Sequence, residues 1–304
     1  MRAPLLLAAL LGLAAVPSGH AIVIYGGTGV ENATAPANDP GWAHVGSLNG
    51  ATGVYLGSFG GVPWALTAAH VGAGTLHLDI GAFAPAGAAV VIRNPDGSAT
   101  DLAAFPLTTA PLLPNLSLAT TAPAANSTVL LLGNGSRETG ALRYWSVAVD
   151  PTGPGSADTW TELPDATGAN RSGYALGGAG KRWGEALYTS TFDYTLGSAT
   201  QTGVATLLVA VNGSSQAAGG DSGGAIFFHS GTSWGLLGII SAVGTLENQP
   251  ANTAVTFNQT LGVSLPTYQT ALLAAIPEPG HYALGAGALS LLAVLWHRRR
   301  HSGR

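Results

Sequence analysis

Gly220-Asp221-Ser222-Gly223-Gly224 sets one serine among glycines, and the reading of this stretch decides the fold. Glycine-rich strings are commonly no more than turns. This one also satisfies G-x-S-x-G, the strand-to-helix elbow that presents a serine hydroxyl in α/β hydrolases. Such an elbow needs an acid and then a histidine further along the chain. Downstream of Ser222 there is no aspartate, the only acids are Glu247 and Glu278, and the only nearby histidine is His229. Chain order rules the elbow out.

The opposite order, histidine then acid then serine, is well supplied. His70 closes Leu66-Thr67-Ala68-Ala69-His70 after an apolar run of strand length, and Asp101 opens Asp101-Leu102-Ala103-Ala104-Phe105. A serine hydroxyl is a weak nucleophile at neutral pH and needs a base in reach, which a third group must orient. The three strings together closely resemble the trypsin-like serine proteases of the chymotrypsin fold (the S1 family), over most of residues 22–274. The interval between His70 and Asp101, 101 − 70 = 31 residues, is short for that family and implies trimmed loops in the first barrel. Two rival acids lie in range: Asp79 close behind His70, and Asp96 within the turn signal Asn94-Pro95-Asp96-Gly97.

The resemblance implies an all-β fold of two Greek-key β-barrels with the active site in the cleft between them. It implies peptide-bond hydrolysis by the triad His70, Asp101 and Ser222, with the N–H groups of Gly220 and Ser222 as oxyanion hole. Asp221 would pair with a newly freed α-ammonium. Cleavage after Ala21 would create one at Ile22-Val23-Ile24-Tyr25-Gly26-Gly27, so export and activation would be one event. The family has Gly-Gly directly after Ile-Val, and Ile24-Tyr25 depart from that. By the same resemblance the pocket floor lies six residues before the serine, at Gln216, where an aspartate would attract Arg or Lys. Ser241 begins the strand that pairs with substrate backbone. Ala242 and Val243 replace the usual Trp and Gly, and Val243 would narrow the pocket toward small apolar side chains.

Composition agrees. The chain has 304 residues, 44 glycines, no cysteine and only 9% charged residues. So little charge argues against disorder and against nucleic-acid binding. Without cysteine there is neither a disulfide framework nor a thiolate metal site. No histidine pair (His44, His77, His229) has metal-ligand spacing, no cofactor is expected, and Gly180-Lys181-Arg182 lacks the glycine and hydroxyl of a phosphate loop. Residues 177–184 read as a surface loop of the second barrel. Apolar runs of strand length recur at 54–59, 64–67, 88–92, 129–132, 144–149, 204–211, 225–228 and 234–240, separated by Gly, Pro, Asn and Ser clusters. The break at Thr121–Ser127 divides them into a first barrel, 22–125, and a second, 126–275. A short helix is expected over Pro266–Ala275.

The two ends read as sorting elements. Arg2, the apolar stretch Leu5–Val16 and Ser18-Gly19-His20-Ala21 make a secretory signal, residues 1–21. Its apolar stretch, about 12 residues, is shorter than the roughly 17–25 a membrane span needs. At the other end, residues 276–304, Pro277-Glu278-Pro279 precedes an apolar segment, Tyr282–Trp296, and then His297-Arg298-Arg299-Arg300. Motif, short transmembrane helix and basic tail in that order closely resemble the PEP-CTERM signal of Gram-negative bacteria. The resemblance implies transient membrane association and processing by an exosortase-type enzyme after signal peptidase has acted. Between the two ends stand six basic and fourteen acidic residues, 6 − 14 = −8, which leaves no basic surface for nucleic acid. The sequence expectation is an exported serine endopeptidase acting on protein or peptide substrates. A triad-bearing but inactive homologue serving as a surface binding module is the alternative, and an esterase on the same fold a third.

Overall fold

The computed structural model describes residues 21–150, 158–178 and 180–276. The secretory signal before Ala21 and the sorting segment after Ile276, with its expected transmembrane helix, lie outside the described residues. Among the described residues no helix is long and apolar enough to cross a membrane.

Turn chemistry starts the first half. Asn49 and Gly50 both have positive φ (50° and 76°), as do Gly60 and Gly61 (64° and 78°). Two such residues make the tight turn whose twist matches a hairpin. They join Val45–Leu48 to Ala51–Phe59, and that strand to Val62–Ala68. The next strand, Leu76–Leu78, returns beside the first, which is the Greek-key order. Seven antiparallel strands result, with Ala99–Pro106 against Val62–Ala68 and Val90–Arg93 at one edge. The first of the two expected barrels closes less fully than the second. The sheet is open in its ladder and comes round only through a bridge between Pro85 and Leu107, flanked by Thr108 N–H to Ala84 and Ala86 N–H to Pro106. Pro85 and Pro106 have no N–H to give, so a full ladder cannot form along this seam.

The second half is a closed six-stranded barrel. Around it run Arg182–Leu196, Ala199–Leu207, Gln259–Ser264, Trp234–Gly244, Ala225–His229 and Thr128–Gly133, which returns to the first. A four-stranded sheet outside the barrel was not foreseen: Thr159–Leu163, Arg137–Ala148, Arg171–Gly177 and Thr253–Val255. The segment 121–127 holds no strand.

Each end of the described chain crosses to the far half. Val23–Ile24 pairs with Ser215–Gln216, and Ile22 is buried among Val129, Leu131, Tyr188 and Ile240. The helix Leu265–Ala275 starts at Ser264, whose hydroxyl caps Thr267 N–H, with Pro266 in its first turn. Its Tyr268, Leu272 and the following Ile276 pack into the cluster that includes Ile92 and Leu102 of the first half. Tyr268 also donates its hydroxyl to Asn94 at 2.7 Å. The same cluster contains Leu132, Phe227 and Ile239, so one apolar core runs through both halves.

Candidate active site

His70 lies two residues beyond the end of Val62–Ala68, and Asp101 is the third residue of the neighbouring strand, Ala99–Pro106. Pairing of Ala68 with Leu102 puts them side by side, and Ala69 N–H bonds to the Asp101 carbonyl. His70 Nδ1 lies 3.0 and 2.9 Å from the two Asp101 carboxylate oxygens, and the His70 backbone N–H donates to Oδ1 at 3.0 Å. A carboxylate only accepts, so Nδ1 carries the proton and Nε2 is left as the base. Asp101 is buried while the His70 side chain is 45% exposed, which leaves the imidazole open to substrate.

Second-half residues complete the carboxylate's shell. Ser241 Oγ donates to Asp101 Oδ2 at 2.5 Å, and the Gln201 amide oxygen accepts Asp101 N–H at 3.0 Å. Behind them Tyr194 has a buried hydroxyl, and burial pushes its phenol up to about 12. The rival acids are occupied elsewhere: Asp79 pairs with Lys181, and Asp96 caps Ser98, whose hydrogen bonds hold its carboxyl below the usual range.

Ser222 reaches the same edge from the second half. Gly223, with φ 84°, packs so closely that an added Cβ would stand 2.0 Å from the Thr52 carbonyl oxygen and 2.2 Å from Thr67 Oγ1. Thr67 is three residues before His70. Among the described hydrogen bonds none joins Ser222 Oγ to His70; such contacts are often long without substrate and tighten in the complex. Gly220 has φ 91°, which favours glycine. The N–H groups of Gly220 and Ser222 enter none of the hydrogen bonds found among the described residues, whereas Asp221, Gly223 and Gly224 all donate to backbone carbonyls.

Asp221 and Ile22 are not brought together as an ion pair. The Ile22 nitrogen is a peptide nitrogen here, and its side chain is fully buried in the second-half cluster. The fully buried Asp221 carboxylate accepts N–H groups from Gly135 (2.7 Å) and Ala218 (2.9 Å). Burial dominates its titration and pushes the carboxyl up to about 7. What anchors the amino-terminal segment is Glu138. It accepts Ile24 N–H at 3.0 Å and Gly29 N–H at 3.1 Å, and it binds both terminal nitrogens of the fully buried Arg182. The surface loop read over residues 177–184 is therefore corrected: Arg182 and Gly184 are buried at the start of a barrel strand.

Of the expected pocket residues, Gln216 is buried and pairs with Val23, and its amide oxygen has no partner. Val243 stands opposite Thr260, whose hydroxyl accepts the N–H of Ala217, next to Gln216. Gln216, Thr260 and Val243 thus lie close together. Ser241 is turned toward Asp101. Among the described residues no three His, Asp or Glu side chains gather as metal ligands.

No protein-family model and no curated protein sequence matches the chain. Among solved structures it is similar to the active form of the Rv3671c protease from M. tuberculosis, at 17% identity over 89% of this chain and 95% of that one, TM-score 0.44. It is also similar to the HtrA-type protease AlgW with a decapeptide (18% identity, 74% of this chain and 50% of that one, TM-score 0.41). The murine norovirus NS6 protease is a third (16% identity, 76% and 93%, TM-score 0.39). These likenesses are loose.

Proposed function

We propose that the chain is an exported serine-type endopeptidase that hydrolyses protein or peptide substrates through His70, Asp101 and Ser222. The observation that carries this reading is the buried Asp101 carboxylate on His70 Nδ1, at 2.9 Å, on the edge that also receives the Ser222 loop. In this reading His70 Nε2 takes the Ser222 proton as Oγ attacks the scissile carbonyl. Asp101 keeps the imidazole in the productive tautomer and stabilises the imidazolium. The N–H groups of Gly220 and Ser222 receive the developing oxyanion, each worth roughly 3–4 kcal/mol in the transition state. His70 then protonates the leaving amine, and water repeats the sequence on the acyl-enzyme. The region of Gln216, Thr260 and Val243 forms the primary specificity pocket, and Val243 restricts it to small apolar side chains.

Sorting belongs to the same proposal. Signal peptidase removes residues 1–21, and an exosortase-type enzyme processes the tail, leaving the protease at or beyond the cell surface. An organophosphonate serine probe tests the chemistry. Correctly processed protein should label stoichiometrically, and Ser222→Ala should abolish it. An unlabelled wild-type protein would instead be the inactive binding module.

A further inference from the structure

In the loop Gly219–Ser222 the N–H groups of Gly220 and Ser222 enter none of the hydrogen bonds found among the described residues, while glycine at 220 leaves its backbone free to turn. In a trans peptide the C=O and the following N–H point in opposite directions, so tying a carbonyl aims the next N–H. All four carbonyls of this loop are tied. Gly219 accepts Ser136 N–H at 2.7 Å, Gly220 accepts the Thr52 hydroxyl at 2.8 Å, Asp221 accepts Gly224 N–H at 2.8 Å, and Ser222 accepts Thr52 N–H at 2.9 Å. Two of the four ties come from one residue in the other half of the molecule.

Thr52 is the second residue of Ala51–Phe59 and is fully buried. Its carbonyl accepts the Thr67 hydroxyl at 2.9 Å, and its own hydroxyl accepts Asn134 N–H at 3.0 Å. With that lone pair occupied, the hydroxyl hydrogen goes to the Gly220 carbonyl, its acceptor at 2.8 Å. Asn134 precedes Gly135, the residue whose N–H holds Asp221. We propose that Thr52 is a positioning residue for the oxyanion hole: its hydroxyl, set by Asn134, holds the Gly220 carbonyl and so turns Asp221 N–H away to Ala218, fixing the one peptide plane that separates the Gly220 and Ser222 N–H groups. The inference rests on the endopeptidase reading and names a residue that the three sequence strings do not contain.

Thr52→Val keeps the side-chain shape and removes the hydroxyl. It should lower kcat about 10- to 100-fold, less than outright loss of a hole donor, with KM nearly unchanged. A substrate-like peptide aldehyde, whose hemiacetal oxygen occupies the hole, should lose affinity by the same factor, while a non-cleavable peptide should not. Thr52→Ser should restore kcat to within about threefold, because the donor and acceptor return. Thr52→Cys fills the same space with a weak donor and should fall between, which keeps the test decisive if the valine variant does not fold. Equal kcat for the folded valine or cysteine variant and wild type would overturn the role, as would loss of aldehyde and peptide binding alike. Failure of the underlying reading looks different: wild-type protein would not react with the phosphonate probe at all.

Discussion

The two halves contribute unlike things to the site. The first, a seven-stranded sheet with an incomplete seam, supplies side chains: Asp101 on one strand and His70 just beyond the end of its neighbour. The second, a closed barrel, supplies Ser222, the proposed nucleophile, on a loop where the Gly220 and Ser222 N–H groups enter none of the hydrogen bonds found among the described residues. Each half also holds the other's contribution. Ser241 and Gln201 of the barrel fix Asp101, and Thr52 and Thr67 of the sheet fix the loop from Gly220 to Gly223. Neither half contains a finished site. The difference teaches that positional accuracy is imported across the cleft, so the open seam can sit away from the chemistry without loosening it.

Breaking that exchange at its centre should have the largest effect. Asp101→Asn keeps the volume but removes the acceptor that sets His70's tautomer. In the well-studied triad of this type the corresponding change costs about 10⁴ in kcat, and a similar loss is expected here. Steady-state kinetics with a small apolar peptide substrate would measure it. A loss under tenfold would mean that the barrel's contacts to Asp101 serve stability only.

Next comes the anchor of the amino-terminal segment. Glu138→Ala leaves the buried Arg182 with Glu31 alone, through its carbonyl at 2.7 Å and its part-exposed carboxylate at 3.4 Å, and should cost about 3 kcal/mol in urea unfolding, the low end for a broken buried pair. Replacing both, Glu138→Leu with Arg182→Met, should recover part of the loss: the buried charge is gone, but the Ile24 and Gly29 N–H groups lose their acceptor. If the single variant were neutral, Val23–Ile24 would be held by its strand pairing alone.

The Asp221 carboxyl gives a pH test of the barrel loop. Its pKa is pushed up to about 7 by burial, against an ordinary value of 3.8. The folded chain then retains a proton that the unfolded chain releases, so this contribution is full below about pH 4 and is lost as pH rises through about 7. Uncleaved protein should therefore lose roughly 2–4 kcal/mol of stability between pH 4 and 8 from this group, and Asp221→Asn should flatten that part of the slope. A chain beginning at Ile22 sharpens the comparison. Should its ammonium reach Asp221, the ionised carboxylate would be favoured and the slope would disappear.

How much of this was legible in the sequence follows from how far apart the partners lie. Ser222 and His70 were singled out by short strings together with their order along the chain, and Asp101 opens an apolar run of strand length that lies in Ala99–Pro106. The short helix expected over Pro266–Ala275 is found at Leu265–Ala275. Thr52 was not legible, since a lone threonine in a strand says nothing until a loop 168 residues away meets it. Arg182 and Glu138 were missed for a related reason: a buried ion pair looks in sequence like two surface charges. Arg182–Leu196, the longest strand, alternates Thr, Ser, Tyr and Asp with few aliphatics, so no apolar run announced it. The seam was hidden in prolines that read equally well as turns.

The smallest effect should come from the contact joining the halves at the surface. Lys181, preceding the barrel, reaches Asp79 of the sheet at 2.9 Å and lies 4.3 Å from the Trp42 ring centre. Burial lowers the lysine's pKa, with Asp79 opposing that shift. Asp79 is 53% exposed, so water and salt screen much of the attraction, and such pairs contribute about 0–1 kcal/mol. A cation over an indole adds a similar amount. Lys181→Met keeps most of the aliphatic stem, so the expected cost is under about 1 kcal/mol. Activity should be unchanged. Were kcat to fall with this variant, the halves would owe their alignment to a surface pair, and the shared core with its reciprocal contacts at Asp101 and Thr52 would be insufficient.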